Sequence, residues 1–141
     1  MKPIPVSRAM KLADVDPIRF NEAIGRGHYR CAPETKTGVG REFTYGQMVA
    51  LYVFGRLIKL KFSAREAAAY ACNSISLVEN HRLDINTLYL ECQANGSINQ
   101  VFRDRRQGLY EPTCAVYICI NFDVIKSQIE IEARNAAVAS S

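Results

Sequence analysis

The sequence predicts an α+β fold in two parts: a helical part over residues 1–75, and a smaller part over residues 76–141 with a β-hairpin, a strand and a final helix. Apolar residues recur at helical spacing in four segments of the first part, whereas the second part shows an Asn-Gly turn and a strand-like alternation. The 141 residues are 48% hydrophobic and 23% charged, which is an ordinary globular composition. A chain of this length can bury a core without metals or disulfides.

Two short helices are predicted at the start of the chain. Residues 7–15 place apolar side chains at helical spacing, with Ser7 as the predicted N-cap. A second helix is predicted from Asp16, its N-cap, through about Ile24, because Pro17 suits the first helical position. Glycines follow it, as is common just past a helix. The tight turn between the two helices indicates a helix-turn-helix.

A polar, turn-rich segment follows over residues 28–40. Extended pieces at residues 29–32 and 41–43 flank its cluster of threonines and glycines, and we expect them to pair as a β-hairpin wing. Thr44 is then the predicted N-cap of a third helix that ends at about Leu60.

A fourth helix completes the first part. Ser63 and Glu66 have the spacing of a capping box, which predicts a helix start at this point. The alanine-rich run that follows predicts a helix ending near Asn73.

The second part begins with a predicted hairpin. Residues 87–94 and 97–102 flank an Asn-Gly pair, the strongest short hairpin signal, and a helix over residues 85–93 is the alternative. Alternation over residues 114–120 predicts a strand with apolar side chains on both faces, and Asp123 is the predicted N-cap of a final helix.

This strand and the final helix, over residues 123–137, have more apolar surface than one chain would normally leave in water. We therefore expect them to join two copies of the chain, and the alternative is that they only close an intramolecular core. The predicted dimerisation residues are Val116, Ile118, Ile120, Val124, Ile125 and Ile129.

Several classes of protein are not indicated. The sequence has no Gly-rich nucleotide loop, G-x-S-x-G or H-E-x-x-H motif, so we expect neither an enzyme nor a cofactor. No apolar run approaches the roughly 20 residues of a membrane span, and the N-terminus lacks the apolar core of a signal peptide. The cysteines are odd in number and include no C-x-x-C, so we expect small buried side chains rather than disulfides or a metal site. These cysteines are Cys31, Cys72, Cys92, Cys114 and Cys119.

The charge is distributed unevenly between the two parts. Residues 1–75 contain 12 Lys or Arg against 6 Asp or Glu, a net charge of +6, whereas residues 76–141 contain 6 against 8, a net charge of −2. This asymmetry is typical of a polyanion-binding module beside a neutral or acidic assembly module.

The first 75 residues resemble the MerR family of winged-helix DNA-binding proteins and the related excisionase-like modules. The likeness extends to the order of the elements and to local motifs in each of them. These motifs are the segment 7–15, Phe20, Ile24 and Gly27 of the second helix, Arg41-Glu42-Phe43-Thr44 with Met48 and Leu51, and Phe62-Ser63-Ala64-Arg65-Glu66-Ala67.

Two departures from the family pattern limit what the resemblance implies. Asn21-Glu22-Ala23 stand where the family commonly has Arg-Tyr-Tyr in the second helix. The second part has neither a cysteine effector site nor a long heptad coiled coil, so metal or drug sensing is not implied.

The residue types predict that the second helix reads the major groove and that the wing contacts phosphates or the minor groove. The reason is that cationic side chains on phosphates supply most of the affinity and a helix in the major groove reads the sequence. The predicted DNA-binding residues are Arg19, Asn21, Glu22, Arg26 and His28 around the second helix, and Thr35, Lys36, Thr37 and Arg41 of the wing.

We therefore predict a transcription regulator of bacterial or phage type that binds a specific double-stranded DNA site as a homodimer. Such a protein would be cytoplasmic and nucleoid-associated, with RNA polymerase as a further partner. An excisionase-like factor that bends DNA is one alternative. A protein-interaction module that keeps the fold, such as an anti-activator, is another.

Overall fold

The structure is a computed structural model that describes residues 2–35, 37–38, 40–79 and 85–139, apart from the side chains of Leu77, Ala136 and Ala139. The predicted α+β class is confirmed, because the described residues form five α-helices and two small antiparallel sheets. The elements are β1 (Ile4–Pro5), α1 (Val6–Ala13), α2 (Pro17–Gly25), β2 (Glu42–Phe43), α3 (Tyr45–Lys59), α4 (Ala64–Glu79), β3 (Ile85–Cys92), β4 (Ile98–Asp104), β5 (Val116–Asn121) and α5 (Phe122–Ala139), with a 3₁₀ turn at Arg105–Gln107.

Local capping signals determine where three of the helices begin. The Asp16 side chain accepts a hydrogen bond from the backbone two residues on, at 3.0 Å, and so caps α2 as predicted. Thr44 and Gln47 form a reciprocal capping box at the start of α3. The Ser63 hydroxyl accepts the backbone N–H of Glu66 at 3.1 Å at the start of α4.

Two predicted caps are wrong. Helix α1 begins at Val6, so Ser7 lies inside the helix, and Pro5 precedes the helix without a capping side chain. Helix α5 follows β5 without a loop, and the Asn121 side chain accepts the backbone N–H of Val124 at 3.2 Å. Asn121 is therefore at the cap, and the predicted cap Asp123 lies inside the helix, where its carboxylate binds Arg105.

The predicted hairpin wing is also wrong. Residues 29–32 form no strand, and β2 pairs instead with β1, where Phe43 lies opposite Ile4. The reason is that Tyr29 is buried between the rings of Phe20 and Phe54, at centroid distances of 5.0 and 5.1 Å. This burial directs the chain into the core at the point where the wing would begin, and it raises the pKa of the Tyr29 hydroxyl.

The predicted hairpin of the second part is confirmed, and the alternative helix over residues 85–93 is wrong. Strands β3 and β4 pair antiparallel, with Leu88 opposite Phe102, and Gly96 in the turn between them has φ +87°. Strand β5 pairs with the other edge of β3, which gives the order β4-β3-β5. The predicted strand near residues 114–120 is thus present as β5.

One hydrophobic core contains side chains from both predicted parts. Phe54 of the central helix α3 is buried in it together with Leu88 and Leu90 of β3 and Phe122 and Ile129 of α5. Helix α4 extends beyond the predicted end near Asn73, so the boundary placed at residue 75 lies within a continuous helix. The division into residues 1–75 and 76–141 stays a prediction.

A disulfide joins Cys31, in the segment after α2, to Cys72 in α4, with their Cα atoms 5.4 Å apart. The expectation that the cysteines form no disulfide is therefore wrong for this pair. The two residues are 41 positions apart, and only the packing of the segment against α4 brings them together. Cys92, Cys114 and Cys119 are free thiols.

Candidate nucleic-acid interface

Helix α2 has one face in the core and the opposite face in solvent. Phe20 and Ala23 are each only 1% exposed, and they attach the helix to the rest of the chain. Ile18, Arg19 and Asn21 are exposed on the other side, with 67% of Ile18 accessible. The helix thus presents a side-chain surface that is not needed for its own packing.

A groove of about 520 Å³ lies between this exposed side of α2 and the start of α4, and we call it the α2–α4 groove. It brings together four of the nine predicted DNA-binding residues with three residues at the start of α4. The four are Arg19, Glu22, Arg26 and His28, and the three are Ser63, Ala64 and Arg65. Asn21 is exposed on α2 but does not line the groove.

The turn before α2 is held by α3. Asp14 is in the left-handed region with φ +53°, and the Val15 N–H donates to the Met10 carbonyl at 2.9 Å. From α3, Arg56 donates to the carbonyl before the turn at 3.1 Å, and Lys59 forms an ion pair with Asp14. The bound Lys59 ammonium keeps the pKa of the Asp14 carboxyl below its ordinary value. These contacts set the angle at which α2 leaves the core.

The α2–α4 groove has several hydrogen-bond donors available to an anion. Arg19, Arg26 and Arg65 are exposed, and none of them forms an ion pair within the part of the chain that the structure describes. Ser63, Ala64 and Arg65 at the start of α4 also line this groove, and a helix N-terminus favours negative charge. Asp16 and Glu22 line the groove as well, so it contains carboxylates in addition to cations.

Ile18 and Arg65 belong to the groove, but the sequence analysis did not include them among the DNA-binding residues. Ile18 could have been identified from the sequence, because it is an aliphatic residue on the polar side of an amphipathic helix, away from Phe20. For Arg65 no local signal exists, because only the packing of α4 against α2 places it beside Arg19 and Arg26.

The predicted wing residues are separate from the groove. Thr35 and Thr37 are exposed, and neither lines it. Arg41 is half-buried, and its guanidinium donates to the Pro33 carbonyl, so this side chain stabilises the segment in addition to any contact with DNA. Lys36 lies outside the described residues.

The predicted dimerisation residues divide into two groups. Ile120, Ile125 and Ile129 are buried in the chain's own core, so their packing within one chain explains their apolar character, and their assignment to a dimer contact stays a prediction. Val116 and Val124 are 63% and 51% exposed. The half-buried Ile118 lies with Val124 and Leu60 along an apolar groove of about 310 Å³ between the end of α3 and the junction of β5 with α5.

Comparison with known proteins gives no relative: no protein-family model matches the chain, and no curated protein is significantly similar to it. Within the described ranges, no helix has both the length and the apolarity that crossing a membrane requires. Nor do three or more His, Cys, Asp or Glu residues in those ranges come together in a way that could bind a metal ion.

Proposed function

We propose that the protein is a sequence-specific regulator that binds double-stranded DNA, with α2 as the reading helix. The observation that supports this best is the α2–α4 groove, where side chains of α2 lie with three exposed arginines and the start of α4. Bases are read by side chains of a helix in the major groove, and phosphates are bound by arginines and backbone N–H groups. The resemblance of the helical motifs in residues 1–75 to the MerR family supports the same assignment, although residues 29–32 do not form the wing strand of that family.

The chemistry of five side chains on α2 and at the groove suggests a role for each. Arg19 and Asn21 project from the exposed side of α2 and would donate to base edges, while Ile18 would contact a thymine methyl group. Arg26 and Arg65 lie at the two sides of the groove and would bind phosphates. Thr35, Lys36 and Thr37 stay predicted phosphate contacts from the segment after α2.

The first prediction is that Arg19→Ala changes which sequences the protein binds. Loss of a bidentate base contact is worth about 1–3 kcal/mol, whereas loss of a phosphate contact weakens all sequences about equally. The measurement is selection from a random duplex library, followed by fluorescence anisotropy with the selected duplex at two salt concentrations. Wild-type affinity should fall steeply as salt rises, because bound phosphates release counterions.

Arg134→Ala is the matched control, since Arg134 is an exposed arginine of α5 that lies outside the α2–α4 groove. This variant should keep the wild-type motif and nearly the wild-type affinity. An unchanged motif for Arg19→Ala would show that α2 is not the reading helix. No salt-dependent binding at all would favour the alternative of a protein-interaction module.

We also propose that the protein acts as a homodimer through Val116, Val124 and Leu60. All three are more than half exposed; Leu60 and Val124 line the apolar groove with Ile118, and Val116 lies two residues before Ile118 on β5. A single reading helix contacts few base pairs, and two copies across a symmetric site would supply the required specificity. The exposed apolar side chains would then be buried between the copies.

The second prediction is that Val116→Asp with Val124→Asp converts a dimer into a folded monomer. A carboxylate is costly to bury at a self-associating apolar contact, whereas at these exposed positions the single chain can tolerate it. Light scattering at micromolar concentration measures the mass, and Ile131→Asp is the control because Ile131 is exposed on α5 away from the groove. A monomeric wild-type protein would contradict this proposal.

A further inference from the structure

The disulfide between Cys31 and Cys72 lies beside the proposed reading helix. Cys31 comes six residues after the end of α2, and Cys72 is in α4, the helix whose start forms the other side of the α2–α4 groove. Both residues are half-buried. The link therefore joins two elements that the proposed function uses.

The described part of the segment between α2 and β2 is anchored at its ends and again around Cys31. At one end Tyr29 is buried between two core rings, and at the other Phe43 is buried in the pairing of β2 with β1. Between these ends Pro33 is buried, the Val6 N–H donates to the Arg41 carbonyl at 3.0 Å, and the Cys31 N–H donates to the Cys72 sulfur at 3.3 Å beside the disulfide. The disulfide is the covalent contact that attaches this segment to α4.

A disulfide is unusual in a protein that works on DNA inside a cell. Cellular thiols keep cysteines reduced there, and disulfides that do form in that compartment are mostly transient or redox-sensing. Neither cysteine is fully buried, and exchange requires that a small thiol reach one of the two sulfurs. A permanently closed disulfide is therefore not expected in an intracellular DNA-binding protein, whereas a disulfide that opens and closes is.

We propose that Cys31 and Cys72 form a reversible exchange site for small thiols of the glutathione class and their disulfides, and that the closed bond strengthens DNA binding. The inference rests on the proposed function, because it assigns a control to the same DNA site. The closed bond attaches the segment that contains Thr35 and Thr37 to α4, which orders their predicted phosphate contacts before DNA arrives.

The exchange needs only the protein, two molecules of the small thiol and, for the reverse reaction, the small disulfide. The thiolate of one small thiol attacks one sulfur of the pair, forms a mixed disulfide with it and releases the other cysteine, which takes up a proton. A second small thiol then attacks the small-molecule sulfur of the mixed disulfide. The two small thiols leave together as the small disulfide, and the remaining cysteine is released as a thiol. Two small thiols are oxidised while Cys31 and Cys72 are reduced, and the small disulfide drives the reverse reaction.

Reduction should affect the segment more than α2. Phe20 and Ala23 keep α2 in the core whether or not the disulfide is closed, so the bases that are read should stay the same. The segment would lose its attachment to α4, and phosphate contacts would be lost for every sequence alike. We expect the affinity for DNA to fall about tenfold in the reduced protein. The dependence of affinity on salt concentration should decrease by about one phosphate contact, and the selected DNA sequence should stay the same.

The test uses the full chain equilibrated with glutathione disulfide or with glutathione. Mass spectrometry after alkylation counts the thiols, circular dichroism reports the fold, and anisotropy with selected and random duplexes gives affinity and salt slope. Cys31→Ser with Cys72→Ser should bind like the reduced protein in both buffers. Cys119→Ser removes an exposed free thiol and should respond to glutathione as the wild type does.

Equal affinity of the oxidised and reduced forms would overturn the redox control and leave the proposed function intact. Unfolding of the reduced chain would also overturn it, because the effect would then be global. If neither form binds any duplex, the proposed function fails and the redox control of DNA binding fails with it. A disulfide that glutathione does not open would contradict the exchange site itself.

Discussion

Replacing Gly55 by alanine is expected to lower the free energy of unfolding by about 1–3 kcal/mol, although alanine favours a helix more than glycine does. A Cβ atom at this position of α3 would lie 2.7 Å from Cγ2 of Val15 and 3.0 Å from the carbonyl oxygen of Ala13. Both neighbours belong to the turn before α2, where the Val15 N–H binds Met10 and Arg56 binds the Ala13 carbonyl. The turn therefore cannot move away without losing hydrogen bonds.

Gly46→Ala is the matched control, because Gly46 is also a buried glycine of α3. There the nearest atoms to a Cβ atom would be Cγ, Cδ and Oε1 of Glu79, whose side chain is exposed and can rotate into solvent. The gain in helix propensity should make this variant neutral or more stable by up to about 1 kcal/mol. Urea unfolding of both variants gives the comparison, and equal losses would contradict the close contact at Gly55.

The Gly55 variant should also bind DNA more weakly if the proposed function is right. The contacts of α3 with the turn set the direction of α2, so a displaced turn would tilt Arg19 and Asn21 away from the bases. Wild-type affinity in a destabilised Gly55→Ala protein would show that the turn does not orient the reading helix.

Local signals predicted most of the secondary structure. Asp16, Thr44 and Ser63 each bond to backbone N–H groups within three residues, so their effect on a helix start is visible in the sequence. The Asn-Gly turn determined the β3–β4 hairpin for the same reason, since Gly96 adopts the positive φ that the turn requires.

Features that depend on tertiary packing were not predictable in this way. The burial of Tyr29 between two rings removes the wing strand, and nothing adjacent to Tyr29 in sequence indicates it. Ile120 and Ile129 have the same apolar character as Val116 and Val124, so the sequence could not separate core from surface. In the candidate site, helix periodicity predicts which α2 side chains are exposed, whereas the position of Arg65 depends on how α4 packs against α2.

The loss of the Cys31–Cys72 disulfide is expected to have the largest effect on stability. A cross-link between residues 41 positions apart restricts the unfolded chain, and this should lower the free energy of unfolding by about 3–4 kcal/mol in Cys31→Ser under non-reducing conditions. The folded chain should tolerate the change, because Phe20, Ala23 and Tyr29 keep their places in the core without the disulfide. Domains of this size are stable by about 5–15 kcal/mol, so a folded protein should remain.

Urea unfolding measures this loss, and Cys119→Ser is the control because Cys119 is an exposed free thiol on β5. Glutathione should lower wild-type stability to the level of Cys31→Ser and should leave Cys31→Ser unchanged, since that variant has no cross-link to open. The denaturant slope of Cys31→Ser should exceed that of the wild type, because an unfolded chain without the cross-link exposes more surface. Equal midpoints and slopes for Cys31→Ser and Cys119→Ser would show that the pair is not bonded in solution, and the exchange site proposed for Cys31 and Cys72 would then have no basis.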